Sequence, residues 1–523
     1  FDQFVVEQLA GDQLSYDDDR KRDRQAIATG FLTLGAINYE AQDKELLEMD
    51  IVDEQIDVIG RAFLGLSLGC ARCHDHKFDP IETEEYYGLA GIFTSTQSVV
   101  HQNVGSPMTR PLKHGEEVAR YREHQVQISK FRERLAKLKK EQKAVEDETE
   151  GEQVEDRSDV AESLDQQIAE IEKQIKRRQR AAPRRPTAMA VVDADDPGDT
   201  HVRYGGDVHV RGPLAPRGFI AAAGLPERML DSQGRPRIPS GKSGRLELAR
   251  WIASPDNRLT SRVIVNRVWH NLLGAGIVAT TDDFGVTGRR PTHPELLDYL
   301  ASTFVDDGWS IKSLVRRIAQ SRVYSLSSDA DDRLLAADPA NERLGRARRR
   351  QLDAEALRDA LLAVSNQLDP ARGGPSIAKL AKYDTGYQFK SLRRSVYVPR
   401  FRNVQPDVVA AFGGANPNMV TGCRAPSILP TQALYLLNGA QVIRAAEEIA
   451  QRVLAACDDD KSRLLRLYRM VLGRLPTTAE AELAERYLDE MATVSDAADK
   501  TEQFAWSGLS QLLLSSLDFR YLN

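Results

Sequence analysis

The sequence of 523 residues is 41% hydrophobic and 28% charged with a formal net charge of −6, which describes a soluble globular protein long enough for two or more domains. The acidic balance argues against a nucleic-acid role carried by bulk charge, and no apolar run reaches the roughly 18 residues of a membrane span. Four cysteines exclude a disulfide-dense scaffold. In chain order, the opening residues already read as domain interior. The chain begins at Phe1 without a methionine, so it is read as a fragment whose N-terminal segment, with any signal peptide, lies upstream. Gly30 to Gly35 is apolar and glycine-bounded, a short buried strand or a helix end.

Val52, Ile56, Ile59, Phe63 and Leu66 recur at steps of four and three, the stripe of an amphipathic helix. Gly69 can end that helix in the left-handed conformation. Cys70-Ala71-Arg72-Cys73-His74 follows. Two thiols three residues apart, with a histidine next to the second, form the attachment motif of c-type haem. Each sulfur adds across one haem vinyl group, and the adjacent imidazole becomes the proximal ligand of the iron. Cys70, Cys73 and His74 are therefore the cofactor-binding candidates, with His74 on the haem iron. No distal ligand is identifiable, although Met108, His101 and His114 follow the motif within a loop's reach. The same cysteines are half of a zinc site that His76 or His101 could complete, and they also suit an inert disulfide or a buried thiol pair. Thr83 is expected to cap the next helix, with Glu84 and Glu85 in its positive first turn.

From Glu116 to Arg180 the composition turns to Lys, Arg, Glu and Gln. Ile128, Phe131, Leu135 and Leu138, then Leu164, Ile168, Ile171 and Ile175, form two stripes around the acidic break Glu146 to Asp159. The pattern is that of an antiparallel coiled-coil hairpin, read as a solvated spacer or as an arm that docks a partner. Ala188 to Val192 and Asp207 to Val210 are short β-type runs. His201 and His209 fall there as surface or strand histidines, within reach of a haem iron if this sheet folds back. Beyond about Gly241 helices dominate. One has the apolar face Val265, Val268, Trp269 and Leu272 and is closed by Gly274; others start at a Thr292–Glu295 capping box, at Ser310 and at a Thr477–Glu480 box. Cys423 and Cys457 are expected as core thiols.

Two resemblances carry further. Cys70 to Ile81, followed by Glu85-Tyr86-Tyr87-Gly88-Leu89-Ala90-Gly91-Ile92-Phe93, resembles the planctomycete-type cytochrome-like domain of unknown function, and Phe4 to Asp12 resembles the stretch ahead of its motif. Val265 to Trp269, Asp283-Phe284-Gly285, His293 to Asp298, Arg348-Arg349-Arg350 with Glu355, Arg393-Arg394-Ser395 and Pro430 to Leu434 with Asn438 resemble the helical domain of unknown function that usually accompanies it. One departure is Gly413 after Phe412, where the family usually has aspartate. The resemblance implies an exported protein of unestablished activity, acting in the periplasm or at the cell surface, with haem c and a redox partner protein. The fold class follows as mainly α: a helical cytochrome-like domain over 1–110, the charged hairpin over 111–182, a small β-containing segment over 183–240 and a large helical domain over 241–523.

Arg267, Asp283, Arg349, Glu355, Arg358 and Arg394 form a candidate cluster, because guanidinium forks suit sulfate or carboxylate groups. The plainer reading is a buried ion-pair network in which Glu355 pairs with Arg358, three residues on along one helix. Two classes of function result. One is a c-type haem protein that moves electrons outside the cytoplasm. The other is a zinc-stabilised enzyme, binding protein or scaffold that acts on anionic polysaccharides through the C-terminal half. No Ser-His-Asp order, phosphate loop or HExxH motif is present, no catalytic residue is assigned, and the residues leave open whether the chain is an enzyme.

Overall fold

The computed structural model describes residues 1–149, 155–377, 384–424, 427–493 and 498–522. The chain is mainly helical, with only small two-stranded sheets among these residues. Packing divides it into two compact units: Phe1–Ile56 with Leu68–Asn257, and Asp57–Ser67 with Arg258–Asn523.

In the first unit, α1 (Asp2–Ala10), α2 (Asp19–Ala28), most of α3 (Lys44–Ile59) and α4 (Thr83–Thr94) surround a core that includes Val5, Leu9, Leu47, Ile56, Tyr86, Tyr87 and Phe93. The Gly30 stretch is a helix end: Thr29 and Thr33 hydroxyls donate to the carbonyls of Ala26 and Gly30 in a tight turn. Thr83 is not the cap of α4 but its first residue. The Asp75 carboxylate takes the Thr83 N–H at 2.8 Å, and the Glu82 N–H donates to Glu85 at 3.2 Å, so the expected cap is displaced by one residue.

The charged stretch forms two long helices, α5 (Glu116–Thr149) and α6 (Glu155–Arg180). Residues 150–154, within the acidic break, lie outside the described residues. Arg178 meets Gln127, Lys139 meets Glu172 and Gln142 meets Asp165, so one number rises as the other falls and the helices run antiparallel. Leu138, Leu164, Ile168, Ile171 and Ile175 are buried between them, with Phe131 and Leu135 alongside. The strands Thr109–Pro111 and Thr187–Met189 pair antiparallel at the base. Asp207–Val210 is a turn, not a strand: Thr200–Arg203 pairs with Arg211–Ala215 around it. The reason is local, since Asp207 accepts the His209 N–H at 3.0 Å and Gly206 takes a φ of 77°. Finally α7 (Arg245–Ile252) brings in a fully buried guanidinium. Arg245 bonds both oxygens of Asp12 at 2.8 and 3.0 Å, Asp193 at 2.6 Å and the Leu9 carbonyl at 3.1 Å. Burial pushes the Asp193 carboxyl up, but Arg245 and Ser243 outweigh it and hold the group below its ordinary value.

In the second unit the apolar stripe continues past the end of α3. The helix runs into a single π turn, Gly60–Leu64, and stops at Gly65, not Gly69, with a φ of 62°. A Cβ at Gly65 would lie 2.8 Å from the Phe284 ring and 2.9 Å from Val263, so glycine fits both the backbone and the packing. Next come α8 (Thr260–Leu273), α9 (Pro294–Asp306), α10 (Ile311–Ala319), α11 (Asp332–Ala337) and α12 (Ala354–Val364). Gly274 closes α8 with a φ of 84°, and the Ser310 hydroxyl caps α10. The Thr292–Glu295 box does not form, because the Thr292 hydroxyl donates to the Ile277 carbonyl and Pro294 opens α9. The Thr477–Glu480 box does form. Hydrogen bonds from Arg474, with those from Thr477, draw the Glu480 carboxyl down to about 2. The remaining helices, α13 (Asp407–Ala411), α14 (Pro430–Asn438), α15 (Ala440–Leu454), α16 (Asp460–Leu472), α17 (Thr478–Ala492), α18 (Ala498–Ser515) and α19 (Leu517–Arg520), pack with α12 around Leu361, Val442, Ile449, Val453, Leu467, Trp506 and Leu514.

Candidate functional site

The cysteine–histidine motif begins on a single turn, Gly69–Arg72, anchored by the fully buried Leu68 before it and Ala71 within it, while Cys70 and the following Cys73 are exposed free thiols. That alternation follows from the turn itself, with apolar side chains anchoring it and sulfurs left outward. Arg72 pairs with Asp50 at 3.1 Å and Asp53 at 3.4 Å, and Asp53 accepts the Tyr86 hydroxyl at 2.6 Å. The Tyr87 hydroxyl lies within donating distance of the carbonyls of Arg72 (2.9 Å) and Arg203 (3.3 Å). Burial pushes the Tyr87 phenol up to about 12, so it remains a donor at neutral pH. The hairpin Thr200–Ala215 is thereby folded onto the motif. A Cβ at Gly206 would come within 2.5 Å of the Cys73 sulfur, and glycine keeps that approach open.

His74 is exposed, with Nδ1 2.7 Å from the Asp75 carbonyl. A carbonyl only accepts, so Nδ1 carries the proton and Nε2 holds the lone pair. His76 behaves differently. Its side chain is only 4% exposed, and Nδ1 accepts the Asp79 N–H at 2.8 Å, which holds the ring inside its own loop. His201 Nδ1 bonds the Gly212 carbonyl, and His209 Nε2 bonds Asp43 at 2.8 Å, which raises the His209 pKa. His101 and His114 are exposed and Met108 is half-buried. Among the described residues, no group of three or more His, Cys, Asp or Glu is arranged to hold a metal ion.

The six residues expected as an ionic cluster in the C-terminal half are dispersed. Arg267 donates to the carbonyls of Ala62 and Arg61, both at 2.8 Å, and burial lowers its pKa. Asp283 accepts the Gly285 N–H and the Thr287 hydroxyl within its own loop. Arg349 is exposed and pairs with Asp329 at 3.3 Å, while Arg394 is exposed. The Glu355–Arg358 pair is not made. Glu355 is taken by Arg424 at 2.6 Å, with Arg400 at 3.6 Å. Arg358 is buried and donates to the carbonyls of Ser391 and Arg393 and to the Ser395 hydroxyl, with Asp359 at 3.4 Å. Partners far away in sequence hold both side chains in place of their helical neighbour.

Sequence spacing offered no signal for one contact. Cys423, expected in the core, is exposed, with its sulfur 3.6 Å from Nε2 of His270. Burial raises the thiol's pKa, with Asp282 adding to it, while burial and Arg350 lower that of His270. Both groups rest neutral. Cys457 is half-buried, and all four thiols are free.

Against known families, residues 1–98 match the one described as a protein of unknown function (DUF1549, PSCyt2). Residues 244–488 match a second protein of unknown function (DUF1553, PSD1). No curated protein and no solved structure matches the chain. The chain is thus similar to two planctomycete-type domains of unknown function, in that order.

Proposed function

We propose that the chain is an exported protein that carries haem c on Cys70 and Cys73, with His74 as proximal ligand, and serves in electron transfer or another redox role at the cell surface. The observation that carries the reading is the state of His74. A metal-binding histidine characteristically donates its other ring N–H to a carbonyl or carboxylate, and Nδ1 of His74 is so engaged with Asp75. The donor set fits the group: two accessible free thiols on one turn, next to an imidazole whose Nε2 holds a lone pair. Bound there, haem would supply a one-electron couple tuned by its axial ligands and surroundings. The chain's own part is to hold the thiols outward, fix the His74 tautomer and lay the Thr200–Ala215 hairpin beside Cys73. The α5–α6 pair, as a coiled-coil arm, is the proposed contact for a partner.

The test is to express the full chain through an export pathway with haem-attachment machinery. Denatured protein is expected to retain haem, with the pyridine haemochrome band of thioether attachment, and Cys70→Ala with Cys73→Ala is expected to lose it. Stoichiometric zinc without such a band would overturn the haem reading.

A further inference from the structure

The second unit contains a cavity of about 570 Å³, within the size range of small-molecule sites. Trp269, Leu272, Ile277 and Leu326 give it apolar walls, and Tyr324 stands beside them. Arg346, Arg348 and Arg350 also line it. They are every second residue of a non-helical stretch, which places alternate side chains on one side. Arg349, between two of them, turns away to Asp329.

None of the three cavity arginines is in an ion pair with a carboxylate among the described residues. Arg346 donates to the carbonyls of Asp338 and Pro339, both at 2.9 Å. Arg348 donates to those of Ala340 and Asn341, and Arg350 to that of Asn271 near the end of α8. A guanidinium has five N–H donors, so neutral carbonyls hold each group in place while its full charge and further donors remain. Burial, together with the neighbouring Arg346, lowers the pKa of Arg348 and outweighs the opposing pull of the Asp338 and Glu342 carboxylates, neither of which bonds it. Glu342 is the acidic residue of the lining, and it is exposed.

The backbone around the cavity is specialised as well. Leu344 has a φ of 55° and Asn341 of 49°, a region that bulky side chains avoid and that persists only when neighbours impose it. The Asn341 carboxamide imposes it here, accepting the N–H groups of Gly345 and Arg346 and donating to the Arg346 carbonyl. On the facing side, a Cβ at Gly274 would lie 2.6 Å from Arg350 Cδ, so glycine leaves the room that Arg350 occupies.

We propose that this cavity binds a small organic oxyanion, with its sulfate, phosphate or carboxylate head on Arg348 and Arg350 and an apolar or aromatic body against Trp269, Ile277 and Tyr324. The site is independent of the cysteine motif and of whether haem is attached there. Arg350 is expected to contribute the larger share of head-group binding, because its one carbonyl partner leaves most of its donors available.

The test uses the full chain with 4-nitrophenyl sulfate, 4-nitrophenyl phosphate, 4-nitrobenzoate, neutral 4-nitroanisole and inorganic sulfate, read by calorimetry and by shifts in melting temperature. At least one aryl anion is expected to bind saturably and at least tenfold more tightly than the neutral ether and than inorganic sulfate, with affinity falling as salt rises. Arg350→Gln should weaken that binding tenfold or more. Ala275→Leu, at a small lining residue outside the arginine stretch, adds bulk to the cavity wall and leaves all three arginines in place; it should do the same and keeps the location testable if the arginine variant folds poorly. Equal affinity for the neutral ether overturns the anionic head, and equal affinity for inorganic sulfate overturns the organic body. Saturable binding that survives both variants, or no saturable binding by any aryl anion, overturns the site.

Discussion

Arg245 in the first unit and Arg346, Arg348 and Arg350 in the second are all withdrawn at least partly from water, yet they are answered by different groups. Arg245, with no exposed surface, faces the carboxylates of Asp12 and Asp193. The other three face backbone carbonyls and an open cavity. A carboxylate cancels the charge it binds, whereas a carbonyl dipole only orients it. The first arrangement spends its electrostatics on holding α1, α7 and the Val192–Asp193 strand together. The second leaves a positive potential inside a space large enough for a ligand. A buried arginine is therefore informative about function mainly through what does not neutralise it.

The largest effect is expected at Arg245. Arg245→Met leaves the buried Asp12 and the half-buried Asp193 without their cation and should lower stability by about 3 kcal/mol, measured by denaturant unfolding. The pH dependence adds a check on its sign. Asp193 has a depressed pKa in the folded chain, so its contribution is present above the ordinary value of 3.8 and is lost as pH falls through the lower folded value. The gap between parent and variant should therefore narrow below about pH 4. A gap that stays constant into acid would show that Arg245 acts through packing alone.

Arg358 sharpens the contrast at intermediate size. It is buried like Arg245 but held largely by carbonyls and the Ser395 hydroxyl. Arg358→Ala should cost about 2 kcal/mol, for the acceptors left unsatisfied. A loss as large as that of Arg245→Met would remove the distinction drawn between the two kinds of partner. The smallest effect is expected at α5 and α6. Their base is closed by the pairing of Thr109–Pro111 with Thr187–Met189, and Leu138, Leu164, Ile168, Ile171 and Ile175 bury against one another. Replacing Glu116 to Arg180 by a short glycine–serine linker should leave the melting temperature of the remainder nearly unchanged. Unfolding of the whole chain would show that the pair contributes to the core.

Much of the helical framework was legible in the sequence. The stripe from Val52 to Leu66 is buried throughout, the α5 and α6 stripes face each other, and Ser310 and Thr477 cap as their positions suggest. These are local features, decided within one or two turns. What sequence patterns missed was decided by contacts between distant segments. Gly65 rather than Gly69 ends the helix, at a point where Phe284 and Val263 leave no room for a Cβ. Glu355 left Arg358 for Arg424, which is far along the chain. Arg349, a member of the expected ionic cluster, faces away to Asp329, while its neighbours Arg348 and Arg350 line the cavity. The contact between Cys423 and His270 spans more than half of the second unit's sequence and left no trace in spacing.

The segment Asp57–Ser67 has a consequence for how such chains can be inherited. It lies inside the stretch that matches the first family, yet it packs within the unit that holds the match to the second. Arg267 rests on the carbonyls of Arg61 and Ala62, and the Phe284 N–H donates to the Gly65 carbonyl at 2.7 Å. A gene that carried only the downstream stretch would encode a guanidinium without its seat and a glycine-shaped hollow beside Phe284. Recombination between relatives can therefore exchange the two stretches as a pair far more readily than one at a time.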